Sequence, residues 1–510
     1  MSAHRLILGD IVRGRAIECP GSTAFIFEGV ETDFATFDRH TNRVANGLLS
    51  AGCEPGDRVA YLGKNRDSYF EMWMGAAKAG LVMVPVNWRL AEPEVAYILR
   101  DSGPRLILAD PEFLNRINDT SAKILVTEAA DGFPLFSEWR DSQNDRDPHR
   151  DAGFDDTVLQ LYTSGTTGNP KGAQLSNRSL LGLRASIHSD QMPEWYRWTA
   201  EDVALVAMPV FHISGSGWGL WSLQHGAKGI IVREFDPSKV LDLLVKYRIT
   251  KIMMVPTALQ IVCDHPGAEQ TDFSFLKTIC YGGSAIPLDL LKRAIDVFGC
   301  GFAQMYGMTE TAGTVIGLPP EDHEIAGNRR MRGVGIPLPG VEVRVVDEAG
   351  VELPRGEIGE IVTRSQANMI GYFNRPEATA ETVDAEGWLR TGDAGSMDED
   401  GYLYLADRIK DMIITGGENV YPAEVENALY SHPDVKDVAV IGVPDPKWGE
   451  AVKAIVVPQS NALPDPAALI AWARERIAAY KAPKSVDFRS DLPRNPSGKV
   501  LRRLLRDEYS

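Results

Sequence analysis

The segment Leu161-Tyr-Thr-Ser-Gly-Thr-Thr-Gly-Asn-Pro-Lys-Gly172 directly continues a strand-like run that begins at Thr157. Its glycines let backbone N–H groups approach an anion closely, its hydroxyl groups can donate to anion oxygens, and Lys171 adds a positive charge. This pattern predicts a loop that holds a polyphosphate. It is not a Walker A loop, because Pro170 and Gly172 stand where that motif has Gly and Ser or Thr. A flexible surface loop is the alternative interpretation of the segment taken alone.

Helix-like and strand-like segments alternate on both sides of this loop. Thr32–Ala51 and Ser68–Gly80 have the spacing of helices, whereas short apolar runs near residues 58, 82, 105 and 123 have the character of strands. Such alternation is typical of a mainly parallel sheet with helices on both faces. The polar stretch 141–151 interrupts it, and we therefore predict subdomains of about 1–150 and 151–330.

The sequence changes character after residue 330. Val341–Val346 and Gly359–Arg364 alternate apolar and polar side chains, and glycine or proline recurs every eight to twelve residues. This predicts an antiparallel sheet or small barrel over about 331–408. Residues 409–510 combine helix-like and strand-like segments and predict a separate small α+β domain. The predicted class is α/β plus a small β-barrel, with a large N-terminal domain 1–408.

The composition excludes several classes of protein. The 510 residues contain 53 Lys plus Arg and 70 Asp plus Glu, a net charge of −17, which disfavours binding to nucleic acid or anionic lipid. The five cysteines are scattered without a C-x-x-C pair, which argues against a disulfide framework or a zinc site and fits a reducing compartment. We see no signal peptide, and the longest uncharged stretch, 203–227, is broken by Pro209 and glycines. We therefore expect a cytoplasmic protein without stable membrane insertion.

Five further segments follow the loop in order, and together they carry a resemblance. They are Tyr281-Gly-Gly-Ser-Ala285, Gln304-Met-Tyr-Gly-Met-Thr-Glu310, Trp388-Leu-Arg-Thr-Gly-Asp393, Asp407–Glu424 and Pro493-Arg-Asn-Pro-Ser-Gly-Lys499. With residues 161–172 they resemble the signatures of the adenylate-forming enzymes, over essentially the whole chain, and most closely those of the acyl-CoA synthetases. The resemblance implies two doubly wound subdomains and a barrel in the N-terminal domain, which binds AMP, and a mobile C-terminal domain 409–510.

The resemblance also implies a site for ATP and Mg²⁺. Tyr306 would stack near the adenine, Thr309 would meet the α-phosphate, and Glu310 would hold magnesium together with Thr163. A hard cation needs oxygen ligands and completes its shell with phosphates and water, so one carboxylate suffices. Asp393 would accept hydrogen bonds from the ribose hydroxyls, with Arg408 on the other side. The full implied set of ATP-binding residues is Thr163, Ser164, Gly165, Thr166, Thr167, Gly168, Lys171, Gly283, Ser284, Gln304, Tyr306, Gly307, Asp393 and Arg408.

Two lysines near the C-terminus have implied roles in catalysis. Lys499 would bridge the substrate carboxylate and the phosphate during adenylation, where negative charge builds up. Lys410 would be the hinge about which the C-terminal domain rotates between two half-reactions. That rotation would bring Gly416, Gly417 and Glu418 towards the pantetheine path of coenzyme A. We expect the nearby Arg502, Arg503 and Arg506 to form a solvated basic face, with contact to CoA phosphates as the alternative.

Pro209-Val-Phe-His212-Ile-Ser-Gly215 occupies the position where the family opens its acyl pocket. Members that adenylate amino acids commonly have an aspartate at this position for the α-amino group. His212 stands in its place, which favours a substrate without that amine. A contact between His212 and the acyl group and simple packing both remain open. Glycines from Gly215 onward, around Trp218 and Trp221, predict either a roomy apolar pocket or tight backbone packing.

The resemblance implies an AMP-forming acid–thiol ligase. A carboxylic acid would react with ATP to give acyl-AMP and pyrophosphate, and the thiol of coenzyme A would then take the acyl group and release AMP. We expect a medium- or long-chain fatty acid, with an aryl, cinnamate-type or steroid side-chain acid as the alternative. A fatty-acyl-AMP ligase that loads a carrier protein, a luciferase-type oxygenase and a non-catalytic ATP-binding module are alternatives of other classes. Whether the chain acts alone or as a homodimer stays open.

Overall fold

Four β-sheets organise the residues that the structure describes. The computed structural model describes residues 6–118, 120–163, 169–186, 191–408, 411–415, 418–460, 462–494 and 500–509, and for residues 185, 186, 407, 408 and 419 it describes the backbone alone. The helices are α1 (Leu8–Glu18), α2 (Phe34–Ser50), α3 (Asp67–Lys78), α4 (Glu92–Ser102), α5 (Phe136–Asp141), α6 (Leu183–Ser186), α7 (Ile213–His225), α8 (Pro237–Lys246), α9 (Pro256–Cys263), α10 (Leu288–Phe298), α11 (Pro376–Thr382), α12 (Pro422–Tyr430), α13 (Pro466–Arg474) and α14 (Arg502–Tyr509).

The strands fall into an N-terminal and a C-terminal group. Those up to residue 318 are β1 (Thr23–Phe27), β2 (Val30–Asp33), β3 (Arg58–Leu62), β4 (Val82–Val86), β5 (Leu106–Ala109), β6 (Lys123–Val126), β7 (Thr157–Thr163), β8 (Lys171–Ser176), β9 (Val203–Val206), β10 (Lys228–Ile231), β11 (Lys251–Met254), β12 (Thr278–Gly282), β13 (Gly301–Met308) and β14 (Gly313–Leu318). The later ones are β15 (Ile336–Pro337), β16 (Glu342–Val346), β17 (Gly359–Arg364), β18 (Gly371–Tyr372), β19 (Leu389–Met397), β20 (Leu403–Arg408), β21 (Ile413–Thr415), β22 (Glu418–Val420), β23 (Val435–Asp445), β24 (Gly449–Pro458) and β25 (Ser485–Phe488).

Two large sheets have parallel centres covered by helices. One has seven strands in the order β18-β8-β7-β4-β3-β5-β6, and the other has nine in the order β15-β14-β13-β12-β11-β9-β10-β1-β2. Parallel strands covered on both faces read as continuous apolar runs, as in Val82–Val86, where every residue is buried. The predicted doubly wound α/β class is confirmed.

The two large sheets exchange strands across residue 150. β7 and β8 complete the seven-stranded sheet, whereas β1 and β2 join the nine-stranded one. Because the strands of one sheet come from distant parts of the chain, sheet membership does not follow the division at residue 150. The boundary there stays a prediction.

Local sequence signals explain several helix ends. The Asp33 carboxylate accepts a hydrogen bond from Thr36 N at 2.6 Å and caps α2, so that helix begins at Phe34 rather than at Thr32. Asp236 caps α8 in the same way, with Lys239 N at 2.8 Å. Gly226 follows α7 with φ of 71°, a conformation that glycine adopts without steric cost.

The remaining sheets are smaller. β16-β17-β19-β20 form a four-stranded antiparallel sheet, as the alternation predicts. The fourth sheet contains β22-β21-β24-β23, with β25 parallel to β24, and its apolar face packs on α12 and α13. Within the described ranges, no helix has both the length and the apolar character that a membrane crossing requires.

Candidate active site

The β7–β8 hairpin presents the flanks of the predicted phosphate loop. Thr163 and Lys171 lie directly opposite each other in the antiparallel register, and Thr163 Oγ1 is 3.4 Å from Lys171 O. The Lys171 ammonium lies 4.5 Å from the ring centroid of Tyr372. Ser164, Gly165, Thr166, Thr167 and Gly168 lie outside the described residues. Both described ends of the loop are therefore held by one hairpin, which is rigid support for a ligand between them.

A buried carboxylate lies next to this hairpin. Glu310, 5% exposed, belongs to a short 3₁₀ turn, Thr309–Thr311, which follows β13. Tyr372 donates its phenol O–H to Glu310 Oε1 at 2.7 Å, and Met369 N donates to the backbone carbonyl of Glu310 at 2.7 Å. Because β18 pairs with β8, Tyr372 brings the Glu310 carboxylate to the side of the sheet where Lys171 lies.

The third part of the site joins β13 to β19. Tyr306 donates its phenol O–H to Asp393 Oδ2 at 2.7 Å, and Asp393 is 9% exposed. Arg408 pairs with Asp393 across the β19–β20 ladder, so the backbone places these two residues side by side. Gln304, at the start of the same segment of β13, is buried and lies 3.3 Å from the Tyr281 hydroxyl. Tyr306 and Asp393 are thus brought together although 87 residues separate them.

Two glycines shape the backbone here. A Cβ on Gly307 would overlap Gly313 O, so only glycine allows β13 and β14 to approach this closely. Gly283 has φ of +83°, in the left-handed region, and turns the chain after β12 towards the half-buried Ser284.

Magnesium fits the donors at this site. One oxygen of the buried Glu310 carboxylate is fixed by Tyr372, which leaves the other oxygen for a cation. Among the described residues, no group of three His, Cys, Asp or Glu side chains gathers into a metal-ligand set. A cation held by Glu310 would therefore share its remaining ligand positions with phosphate and water, which is the shell that Mg²⁺ prefers.

His212 directly precedes α7, without a capping hydrogen bond from its side chain, and lines a cavity of about 160 Å³. Burial, and then the nearby Arg89 charge, lower the pKa of His212 to about 4, so the imidazole is neutral at pH 7. Its Nε2 is buried without a hydrogen-bond partner among the described residues. Arg89 and Arg233 also line the cavity, together with Trp88 and Ile261. Glu234 lines it as well, and Arg233 is bound by Glu128, so a neutral imidazole and charges of both signs face one space.

The glycines of α7 serve two different purposes. A Cβ on Gly215 would overlap the carbonyl oxygens of Met208 and Pro209, and one on Gly219 would overlap the ring of Phe70. Both positions are tight packing, and Gly215 is not among the residues that line the cavity. At Gly217, by contrast, an added Cβ would meet only the Ile213 side chain, at 3.8 Å.

The C-terminal residues of the predicted site are described only in part. Lys410, Gly416, Gly417 and Lys499 lie outside the described residues, and Glu418 is an exposed residue at the start of β22. Arg494 and Val500, on either side of Lys499, form an antiparallel bridge.

The prediction that Arg502, Arg503 and Arg506 form a solvated basic face is wrong for two of the three. Arg502 binds Glu426 at 2.7 Å and Arg506 binds Asp411 at 2.9 Å, whereas Arg503 is exposed. Acidic side chains from other elements bind these two cations, so solvent is not their only partner.

Two residues beside these groups had no signal in the sequence. Tyr372 contacts both Lys171 and Glu310, yet the pair Gly371-Tyr372 is a two-residue strand without a local pattern. Arg184 is buried between the rings of Tyr196 and Trp221, and an isolated arginine in a helix predicts an exposed side chain.

Comparison with known proteins identifies the family. The family described as AMP-binding enzyme matches residues 12–373, and the AMP-binding enzyme C-terminal domain matches 424–499. A fatty acid–[acyl-carrier-protein] ligase of Streptomyces coeruleorubidus is 43% identical over 96% of this chain and 94% of its own length. A feruloyl-CoA synthase of Amycolatopsis sp is 41% identical over 98% of this chain and 99% of its own length.

A solved structure agrees with these relatives. ATP-bound MatB from Rhodopseudomonas palustris superposes with a TM-score of 0.89 at 32% identity, and the match covers 100% of this chain and 99% of that one. Sequence and fold thus agree on the family. The chain belongs to the AMP-binding enzymes, and within them to the family of ATP-dependent acyl-CoA ligases.

Proposed function

We propose that this ligase activates a carboxylic acid of medium length, either a medium-chain fatty acid or an arylpropenoic acid of similar length. The observation that carries this proposal is the course of α7, which begins at the cavity residue His212 and continues into a wall of tryptophans. The carboxylate end would lie near His212 and the nucleotide residues, and the far end near the wall.

The tryptophan wall limits the length of the acid. Trp218, 3% exposed, packs on Trp198 with ring centroids 4.8 Å apart, and Trp221 packs on Tyr196 at 5.3 Å. Trp221 follows His212 by nine positions, or about 13 Å along a helix at 1.5 Å per residue. Long-chain fatty acids, which the sequence left as an option, would exceed this length.

The first half-reaction would use the two carboxylates of the candidate site, Glu310 and Asp393. An oxygen of the substrate carboxylate attacks the α-phosphorus, the bond to pyrophosphate breaks, and acyl-AMP forms. Thr309, Glu310 and Lys499 are the proposed catalytic residues, with Mg²⁺ on Glu310 and Thr163 to neutralise phosphate charge. Asp393 and Arg408 would hold the ribose, and the loop 163–171 would hold the phosphates.

The second half-reaction needs a thiol at the same carbonyl carbon. Its sulfur attacks the acyl carbon, AMP leaves, and the thiol proton passes to solvent. The cavity at His212 would be the thiol path, and the Arg89 and Arg233 side chains at its wall suit an anionic phosphopantetheine arm. We propose coenzyme A as the donor. A carrier protein has the same arm, and the relative from Streptomyces coeruleorubidus named for such a ligation makes it the second candidate.

The two steps would share one carbonyl by a domain rotation. We propose that residues 1–408 and 409–510 move relative to each other about Lys410, which places Lys499 at the nucleotide first and Gly416, Gly417 and Glu418 at the thiol path afterwards. A hinge residue absorbs large changes in φ and ψ, and its replacement leaves the chemistry of a single state intact.

A panel of acids tests the proposal. The purified chain receives ATP, Mg²⁺ and either coenzyme A or a phosphopantetheinylated carrier protein, and pyrophosphate, AMP and thioester are measured. We expect thioester from medium-length acids with coenzyme A, and little from palmitate. Pyrophosphate release with none of the acids would overturn the proposal, and thioester with the carrier protein alone would replace coenzyme A as the donor.

The half-reactions separate the two lysines. Lys499→Ala should slow adenylation on the order of 10²-fold or more, because one electrostatic contact to the transition state is lost. It should leave thiol attack on pre-formed acyl-AMP largely intact.

Lys410→Pro should do the reverse, because proline fixes φ near −65° and blocks the rotation. Equal losses in both half-reactions would remove these roles from both residues.

A further inference from the structure

Arg184 is a buried cation that lacks a carboxylate. Its side chain is 8% exposed, and Nε and Nη2 are buried without a hydrogen-bond partner in the part of the chain that the structure describes. Its guanidinium carbon lies 3.6 Å from the ring centroid of Trp221 and 4.0 Å from that of Tyr196. Ring faces attract a cation, but they accept no hydrogen bonds from N–H groups in the guanidinium plane.

The neighbours of Arg184 add positive charge. Lys251, 4% exposed, donates to the backbone carbonyls of Trp195 and Arg197 at 3.4 and 2.9 Å. Burial lowers the pKa of both Arg184 and Lys251, and both cations interact with the Cys280 side chain. Neither cation has an acidic side chain within 4 Å among the described residues. The buried Asp202 carboxylate interacts with Lys251 but is not among the groups that interact with Arg184. A buried cation without an anion is costly, and a bound anion or acceptor at Arg184 would relieve that cost.

Strand register places this cluster on the sheet face of Gly282, opposite to the face of Gln304 and Tyr306. Cys280 and Gly282 are two positions apart on β12, so both point to one face. Met305 lies opposite Gly282, and Gly317 lies opposite Met305, so all three residues point to that face. The Trp195 ring packs directly over Gly317, since an added Cβ there would lie 2.6 Å from it.

The same face therefore runs from the nucleotide turn to the cation. Gly282 precedes the Gly283-Ser284 turn of the nucleotide site, and Tyr196, which contacts Arg184, packs on Trp195 at 5.3 Å. α7 spans the same interval, from His212 at the cavity to Trp221 at the Arg184 guanidinium. Arg184 thus stands at the opposite end of α7 from the cavity residue.

We propose that Arg184 is a specificity residue that binds an oxygen acceptor at the far end of the acid. The inference rests on the proposed function, because that function places the carboxylate end of the acid near His212. The free N–H groups Nε and Nη2 suit a planar carboxylate best, since arginine binds carboxylates with two parallel hydrogen bonds. A terminal hydroxyl or a para-phenol offers one acceptor and is the weaker member of the same substrate class.

Matched acids test this assignment. The panel contains octanoate, its terminal hydroxy derivative and octanedioate, and in parallel cinnamate and para-hydroxycinnamate. For each acid, kcat/KM for pyrophosphate release is measured in the wild-type chain and in Arg184→Met, Arg184→Lys and a control, Arg178→Met. Arg178 lies two turns earlier, pairs with Asp155 and is 33% exposed.

The measured quantity is the preference for the acid with the distal acceptor over the plain acid of equal length. We expect a wild-type preference on the order of 10- to 100-fold for the terminal carboxylate, the range of hydrogen bonds to charged groups. Arg184→Met should reduce this ratio to about one, Arg184→Lys should retain part of it, and Arg178→Met should leave it unchanged.

Several outcomes overturn the assignment. A wild-type ratio at or below one would exclude a distal acceptor, and an equal fall for all acids in Arg184→Met, with the ratio preserved, would make Arg184 a structural residue. If Arg184→Met fails to fold, as judged by its thermal transition, the Arg184→Lys ratio decides alone, because an unchanged ratio there contradicts two-point binding. Absence of pyrophosphate with every acid would instead overturn the proposed function. That result differs from the outcomes above, which all require pyrophosphate release.

Discussion

The proposed nucleotide site and the far end of α7 differ in how their buried charges are paired. At the nucleotide site, Glu310 and Asp393 each accept a hydrogen bond from a tyrosine at 2.7 Å. At the far end of α7, Arg184 and Lys251 have no acidic partner within 4 Å among the described residues. Arg184 has rings, the Tyr196 hydroxyl and the Cys280 side chain as neighbours, and its Nε and Nη2 have no hydrogen-bond partner in the described part of the chain. The first region is complete before ATP arrives, because its carboxylates are already oriented. The second is incomplete, and its missing partner is a property of the substrate rather than of the fold.

This difference separates what the family shares from what one member selects. The tyrosine–carboxylate pairs orient the residues proposed for Mg²⁺ and ribose, and they do so without any acid present. An unpaired buried cation destabilises the chain when no ligand is bound, and it favours the binding of one class of ligand. Specificity here would come from a polar group left unpaired, which discriminates more sharply than apolar contact does.

The largest effect we expect comes from breaking the complete region. Glu310→Gln keeps an acceptor for Tyr372 but replaces an anionic ligand of a hard cation by a neutral amide, so adenylation should slow by about 10²-fold or more and need more Mg²⁺. Titration of Mg²⁺ against pyrophosphate release measures this. Glu269→Gln, at an exposed carboxylate, is the control. Unchanged titration curves in Glu310→Gln would remove the residue from the site.

The next effect concerns acid stability in the incomplete region. Burial, followed by the charge of Arg184, lowers the pKa of His225 from 6.5 to about 4. The unfolded state therefore binds more protons between pH 6.5 and 4, and stability falls as the pH falls through this window. His225→Gln should lose about 2 kcal/mol less unfolding free energy than wild type between pH 7 and 4.5.

Chemical denaturation at the two pH values measures the difference. His149→Gln is the control, because that side chain is 75% exposed. An identical loss in wild type and His225→Gln would show that folding leaves the pKa of His225 unchanged, which would contradict the effect of its burial beside Arg184.

The smallest effect should come from removing one hydrogen bond in the complete region. Tyr372→Phe leaves Glu310 Oε1 without its donor but keeps the ring over Lys171. Loss of a group that orients a metal ligand costs about tenfold in activity or metal affinity at the lower end. We expect a tenfold slower adenylation with little change in the KM for the acid. A change only in the KM for the acid would show that Tyr372 acts on the acid and not on Glu310.

The sequence predicted the complete region far better than the incomplete one. Segment 304–310 and residue 393 belong to short motifs in which residue type and chemistry agree, so their order along the chain identifies them before any contact is known. Tyr372 escaped because its role depends on a pairing between β18 and β8 that spans about 200 residues. Arg184 was missed because it is buried between Tyr196 and Trp221, which lie further along the chain. Both depend on non-local contacts, which no local pattern encodes.

Helix boundaries and surface charges show the same limit. The helical spacing of apolar residues predicted α2 to within two residues, and the capping carboxylate of Asp33 fixes its start at Phe34. Arg502 and Arg506 looked solvated because their partners, Glu426 and Asp411, come from other elements. Long-range ion pairs of this kind follow from the fold and cannot be predicted without it.

The late strand β18 also sets the order in which the chain can mature on the ribosome. β7 and β8 are synthesised roughly 200 residues before Gly371-Tyr372, which pair with Ala173 and Gln174 on the outer side of β8. At about 5–20 residues per second, that side of β8 waits roughly 10–40 s as an unpaired strand edge. Newly made chains that stop within this interval should therefore be clients of chaperones that cover exposed strands. The nucleotide site is assembled only when that edge is closed.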